Sequence, residues 1–188
     1  ASSEKAIEYI SDRTLFQVKL LRLAADPQLH DSALESRRTI DVLVSCNFWG
    51  EERDIHKWNP ESHWNVRVYG RGWESTLAPK ALQKKWSGHV SYHSLCNAYG
   101  QTRIVIDDAT KYVEPWAMAN MRVFEAVMSG ALVLSNDAEG MKEIFPNIPL
   151  PHWSNEEQLN ELISFYLTHE HQRLKLVGQM KNELKKHH

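Results

Sequence analysis

A chain of 188 residues has the length of one domain with a substantial core. Its 22 basic residues against 24 acidic ones leave a net charge of −2, which excludes a global field favouring nucleic acid or an anionic membrane. Apolar runs fall far short of the roughly 20 residues of a membrane span, the start lacks a signal-like apolar core, and Cys46 and Cys96 show no metal-ligand or Cys-x-x-Cys spacing. The expectation is a protein without a transmembrane segment, in a reducing, cytoplasmic setting.

In chain order, residues 3–25 predict an amphipathic helix carrying Ile7, Ile10, Leu15, Val18, Leu21 and Leu23, ended by Asp26 and Pro27. A charged linker over 31–38 follows, so residues 1–38 read as an N-terminal helix and linker and 39–188 as one domain. Strand 40–46, a loop with Asn47, Trp49 and Gly50, a short helix over 51–58 and strand 65–69 make βαβ punctuation. After a loop with Gly70, Gly72 and Trp73 come a short strand over 88–91, a helix over 92–99 and strand 102–107.

The richest stretch runs from 112 to 145. Met121, Phe124, Val127 and Met128 recur at helical spacing, Ser129 and Gly130 close that helix, and 131–135 is a short apolar strand suited to cover on both faces. Glu125 therefore sits beside an apolar stripe, where a carboxylate needs a partner. A helix over 139–145, a last strand over 148–150 and helices over 155–167 and 170–186 finish the chain, with Ser154 and Glu157 placed as a capping box. Alternating strands and helices predict an α/β, Rossmann-like, doubly wound parallel sheet with its ligand at the carboxyl ends of the strands.

Asn120, Arg122, Phe124, Glu125, Ala126, Ser129 and Gly130 resemble the N-x-R-x-F-E-A hallmark of the nucleotide-sugar motif in group 1 GT-B glycosyltransferases, in particular the spore-maturation-protein-like subgroup. Three further blocks agree in order: IDVLVSCNFWGEERDI from 40, VRVYGRGW from 66 and WSGHVSYHSLCNAYGQTRIVID from 86. The resemblance covers about residues 38 to 170 and implies a single C-terminal half of a GT-B fold. It further implies a nucleotide diphospho-sugar donor, no other cofactor, a missing N-terminal half and a sugar, lipid or protein acceptor.

Transfer from such a donor requires stabilising charge on the leaving diphosphate, and without a metal this falls to arginines, backbone N–H groups and a helix N-terminus. Arg53 and Arg122 are the candidates, each with the alternative of a surface ion pair to Glu51, Glu52 or Asp54. By resemblance Glu125 accepts the ribose hydroxyls, while the alternative is a half-buried ion pair. Asn120 caps its helix and faces the phosphates, and His89 and Val90 occupy the family position whose backbone reads the nucleobase.

The glycines of the loops at Gly50, Gly70 and Gly72 allow close backbone approach, although neither loop is a G-x-G-x-x-G fingerprint. Of seven tryptophans, Trp49, Trp73 and Trp116 lie in loops where sugar stacking would occur; Trp49 and Trp73 are expected to line the site, and Trp58, Trp64, Trp86 and Trp153 to be structural. Among ten histidines none has metal-ligand spacing. Ala117 stands where retaining relatives carry an acid eight positions before the glutamate, and no catalytic base is assigned.

Two rival readings follow from the same residues. One is a degenerate glycosyltransferase domain serving as a nucleotide-binding or scaffold module. The other is a flavodoxin-like receiver, suggested by Asp107 and Asp108 after a strand, although that pair falls past mid-chain rather than near the first strand.

Overall fold

The structure, a computed structural model, describes residues 2–26, 30 and 37–187. Four parallel strands form one sheet in the order β2-β1-β3-β4: β1 (Ile40–Ser45), β2 (Val66–Tyr69), β3 (Thr102–Asp107) and β4 (Leu132–Ser135). Val42 pairs in register with Val66 on one side and Ile104 on the other, and Ile104 with Leu132. Val42, Leu43, Ile104, Val105, Leu132, Val133 and Leu134 are fully buried. Their continuous apolar runs are what a parallel sheet covered on both faces requires. The chain is thus an α/β, Rossmann-like domain, and its strand order reverses between β1 and β3, where open α/β sheets form a crevice.

The helices are α1 (Glu4–Ser11), α2 (Lys80–Gln83), α3 (Tyr92–Gly100), α4 (Met121–Met128), α5 (Ala138–Ile144), α6 (Glu156–Thr168) and α7 (Glu170–Leu184), with 3-10 turns at Asp54–Lys57, Glu114–Trp116 and Lys185–His187. Strand β3 and the start of α4 lie where the apolar pattern places them. Asn120 is the N-cap of α4, its side chain accepting from the Arg122 N–H.

Four expectations are corrected. The N-terminal helix covers 4–11 rather than 3–25. Beyond Ser11 the Thr14 hydroxyl accepts the Phe16 N–H at 3.1 Å, a local bond that competes with helix. Leu15, Phe16 and Leu21 are exposed and only Leu23 and Ala25 pack on the core, so most of that stripe has no packing surface to stabilise a helix. Most of the expected linker, residues 31–36, lies outside the described residues.

The stretch 88–91 is not a strand. Gly88 sits at φ 92°, and this region meets β2 through an isolated bridge between Val68 and Trp86 and a bond from the Gly70 N–H to the Gly88 carbonyl at 3.1 Å. Nor is 148–150 a strand, because Pro146, Pro149 and Pro151 remove ladder donors, leaving a bridge between Ser135 and His152. The cap of α6 lies one residue later than expected: Asn155 accepts from Gln158 N–H at 2.9 Å, while Gln158 Oε1 accepts from the Ser154 N–H and hydroxyl.

Candidate functional site

A cleft of about 390 Å³ opens at the carboxyl ends of β1, β2 and β3, over the point where the strand order reverses. Strand β1 and its loop contribute Ser45, Cys46, Asn47, Trp49 and Arg53, and β2 contributes Tyr69 and Gly70. His89, Val90 and Leu95 form one wall; Asp108, Ala109, Thr110, Val113 and Met118 form another; Asn120 and Arg122 come from the start of α4. Trp49 is 73% exposed at the rim.

The floor is a network of paired charges. Successive strand residues point to opposite sides, and the consecutive Asp107 and Asp108 take one arginine each. Arg122 Nη1 donates to Asp107 Oδ1 at 2.7 Å, and its Nε donates to the Ser45 carbonyl and hydroxyl at 2.9 and 3.0 Å. The second oxygen of Asp107 accepts from the Ser135 hydroxyl at 2.8 Å. Burial alone pulls the Arg122 pKa down, but Asp107, with smaller contributions from Tyr99, Cys46 and Asp108, outweighs it and holds the guanidinium above its ordinary value.

Arg53 Nε donates to Asp108 Oδ2 at 2.7 Å and its Nη2 donates to the Asp108 carbonyl. Burial pushes the Asp108 carboxyl up to about 6 despite that guanidinium. Each arginine keeps one terminal nitrogen, Nη1 of Arg53 and Nη2 of Arg122, without a hydrogen bond among the described residues. The partners differ from the surface acids weighed in the sequence: Arg53 pairs with Asp108, not Glu51, Glu52 or Asp54.

Of the residues singled out from sequence, Asn47, Trp49, Arg53, Gly70, His89, Val90, Asn120 and Arg122 line the cleft, whereas Gly50, Gly72, Trp73 and Glu125 do not. Trp73 is fully buried, its indole N–H donating to the Cys46 carbonyl at 2.7 Å. Gly72 at φ 84° lies against Phe48: a Cβ there would stand 2.2 Å from the Phe48 carbonyl oxygen. At Gly70 it would stand 2.0 Å from the Cys46 carbonyl oxygen. These glycines let two chain segments pack, with Phe48 N–H donating to the Arg71 carbonyl and Arg71 N–H to Asn47 Oδ1. Gly50 has open space around it.

Glu125 is 4% exposed on α4 and interacts with the Tyr92 hydroxyl at the start of α3. Burial raises its pKa, against the pull of Tyr92 and Arg122. The Tyr92 hydroxyl is pushed up to about 12 by burial and by that carboxylate. The loop at Glu114–Trp116 leads to Ala117 at φ 49°, an uncommon left-handed conformation for a residue with a side chain, in the chain between the cleft-lining Val113 and Met118.

The residue that sequence reasoning set aside is Asp108. Its signal was the Asp107-Asp108 pair at the end of β3, weighed there as a receiver-type acidic pair. Among the described residues no group of three or more His, Cys, Asp or Glu could hold a metal ion, and no helix is long and apolar enough to cross a membrane.

Solved structures share this fold. A glycosyltransferase from Rickettsia africae ESF-5 is 15% identical, with a TM-score of 0.70 over 100% of this chain and 58% of its own. A T4 phage BGT mutant in complex with UDP-glucose is 14% identical, with a TM-score of 0.66 over 95% of this chain and 54% of its own. Sucrose-phosphate synthase from Thermosynechococcus elongatus is 10% identical, with a TM-score of 0.60 over 99% and 53%. The chain therefore spans little more than half the length of these proteins, as a single Rossmann-like half of a GT-B fold. No curated protein matches it by sequence. A model of the glycosyl transferase-like family matches residues 37–188, and the chain belongs to that family.

Proposed function

We propose that this domain is the donor-binding half of a glycosyltransferase, holding a UDP-, GDP- or dTDP-type diphospho-sugar in the strand-end cleft. The observation that carries the reading is the convergence of Arg53, Arg122 and the Asn120-capped start of α4 on one cleft. Each arginine keeps a terminal N–H-bearing nitrogen beyond its aspartate, and a helix N-terminus favours an anion. The diphosphate lies on these groups, the base lies towards Gly70, His89 and Val90, and Trp49 flanks the sugar at the rim. Glu125 meets the ribose by turning from Tyr92.

The acceptor hydroxyl of a sugar, lipid or protein attacks the anomeric carbon as the bond to the diphosphate oxygen breaks. Charge develops on that oxygen, where the arginines stabilise it without a metal ion. The base that takes the hydroxyl proton comes from an N-terminal half facing the cleft. The hallmark around Asn120 and Arg122 supports placement near the spore-maturation-type relatives, and the free thiols Cys46 and Cys96 support a cytoplasmic setting.

Calorimetry with UDP, GDP and dTDP in the presence of a chelator tests the reading. Binding of at least one, with nucleoside weaker than diphosphate, is expected; no binding at millimolar concentration by the folded domain overturns it. A second reading, a degenerate scaffold module, is favoured by the pairing of both arginines with Asp107 and Asp108, which leaves no surplus charge for phosphate. That module would bind nucleoside and diphosphate alike.

A further inference from the structure

The geometry points to Asp108 as a further residue of the donor site: when a diphospho-sugar lies on Arg53, Asp108 takes up a proton. The inference rests on the reading of the cleft as a donor site.

Three carboxylates, Asp54, Asp107 and Asp108, meet two guanidiniums here. Asp107 has Arg122 and the Ser135 hydroxyl, and Asp54 is exposed to water. Asp108 is 3% exposed and among the described residues has Arg53 alone as its cation partner, with Asn136 Nδ2 shared between its Oδ1 at 3.1 Å and Asp54 Oδ2 at 3.2 Å. Asn136 cannot reorient freely, since its Oδ1 accepts the Ala109 N–H at 2.7 Å.

The charged groups acting on Asp108 are thus Arg53 in favour of its ionised form and Asp107 and Asp54 against it. Arg122 stands behind Asp107, and the nearby Cys46 thiol is raised by burial and carries no charge. Phosphate oxygens on Arg53 weaken the one favourable contact and add negative charge beside a buried acid. Both changes favour the protonated carboxyl.

The sign follows from linkage. The empty-site pKa of Asp108 is about 6, and the bound-state value is higher. Affinity therefore rises as pH falls through the bound-state value and levels off below about 6, by up to about tenfold per pH unit in between.

The probe is UDP-glucose, or the GDP- or dTDP-sugar if that is the one bound. Such donors lack the terminal phosphate that titrates at about 6. Calorimetry in two buffers of different ionisation enthalpy, from pH 6 to 8, counts the protons. Wild type is expected to take up a substantial fraction of a proton and to bind about fivefold to tenfold more tightly at pH 6 than at pH 7.5. Asp108→Asn keeps the acceptor for Arg53 and is expected to lose the uptake, its affinity changing less than about twofold over that range.

An uptake unchanged in Asp108→Asn would place it on another group and overturn the inference. So would binding by wild type without proton uptake, a result that needs no variant. Failure of every diphospho-sugar to bind would sink the donor-site reading itself, and this inference with it.

Discussion

Arg122 is 8% exposed and joins α4 to the ends of both β1 and β3. Arg122→Ala leaves Asp107 buried with only a hydroxyl to bond, so a loss of about 3–5 kcal/mol in unfolding free energy is expected, read from denaturant titration. A loss under about 1 kcal/mol would mean that water replaces the guanidinium. Its effect on phosphate binding has to be judged at matched folded fraction. Glu125 behaves oppositely. Its folded-state pKa is raised, so its contribution to stability is present at low pH and lost as pH rises through that value. Glu125→Gln is therefore expected to be at least as stable as wild type at pH 7, with any advantage vanishing below about pH 4, where both states of the carboxyl are protonated. Destabilisation at pH 7 would show that the Tyr92 bond outweighs burial. If Glu125 meets the ribose, the same variant binds ribose nucleotides more weakly while deoxyribose analogues are spared.

Among elements, the loops after β1 and β2 behave as one unit, because glycine at two positions lets backbone meet backbone. Gly70→Ala and Gly72→Ala place a Cβ within 2.2 Å of a carbonyl oxygen, whereas Gly88→Ala at φ 92° meets nothing within 4 Å. The first two are expected to destabilise by well over 2 kcal/mol, and Gly88→Ala by about the 1–2 kcal/mol of left-handed strain alone; thermal melts rank them. Equal losses at all three would mean that backbone strain, not the carbonyl contact, sets the cost. This packing role was not legible from the glycines themselves, which suit a phosphate-binding loop equally well. Element existence was legible where apolar period and cap agreed, as at β3 and α4. It was not legible at 12–25, where an apolar period is present but Leu15 and Leu21 are exposed and only Leu23 and Ala25 reach the core.

At the scale of the whole molecule, a net charge of −2 carries no information about the site, because the charges that matter are local and paired across elements far apart in sequence. The strand order that opens the cleft brings residues 45–53, 69–70, 89–95 and 108–122 to one place. Sequence by itself determined the α/β class, the parallel strands and the capped start of α4, since these follow from local periodicity, side-chain capping and the composition of strands buried on both faces. Which acids hold the arginines, that Trp73 belongs to the core, and that Glu125 faces Tyr92 outside the cleft lining follow from the three-dimensional packing alone. The reason is physical: a buried charge takes whichever opposite charge the topology delivers within bonding distance, and Asp108 reaches Arg53 across 55 positions of chain, a separation that no local pattern encodes.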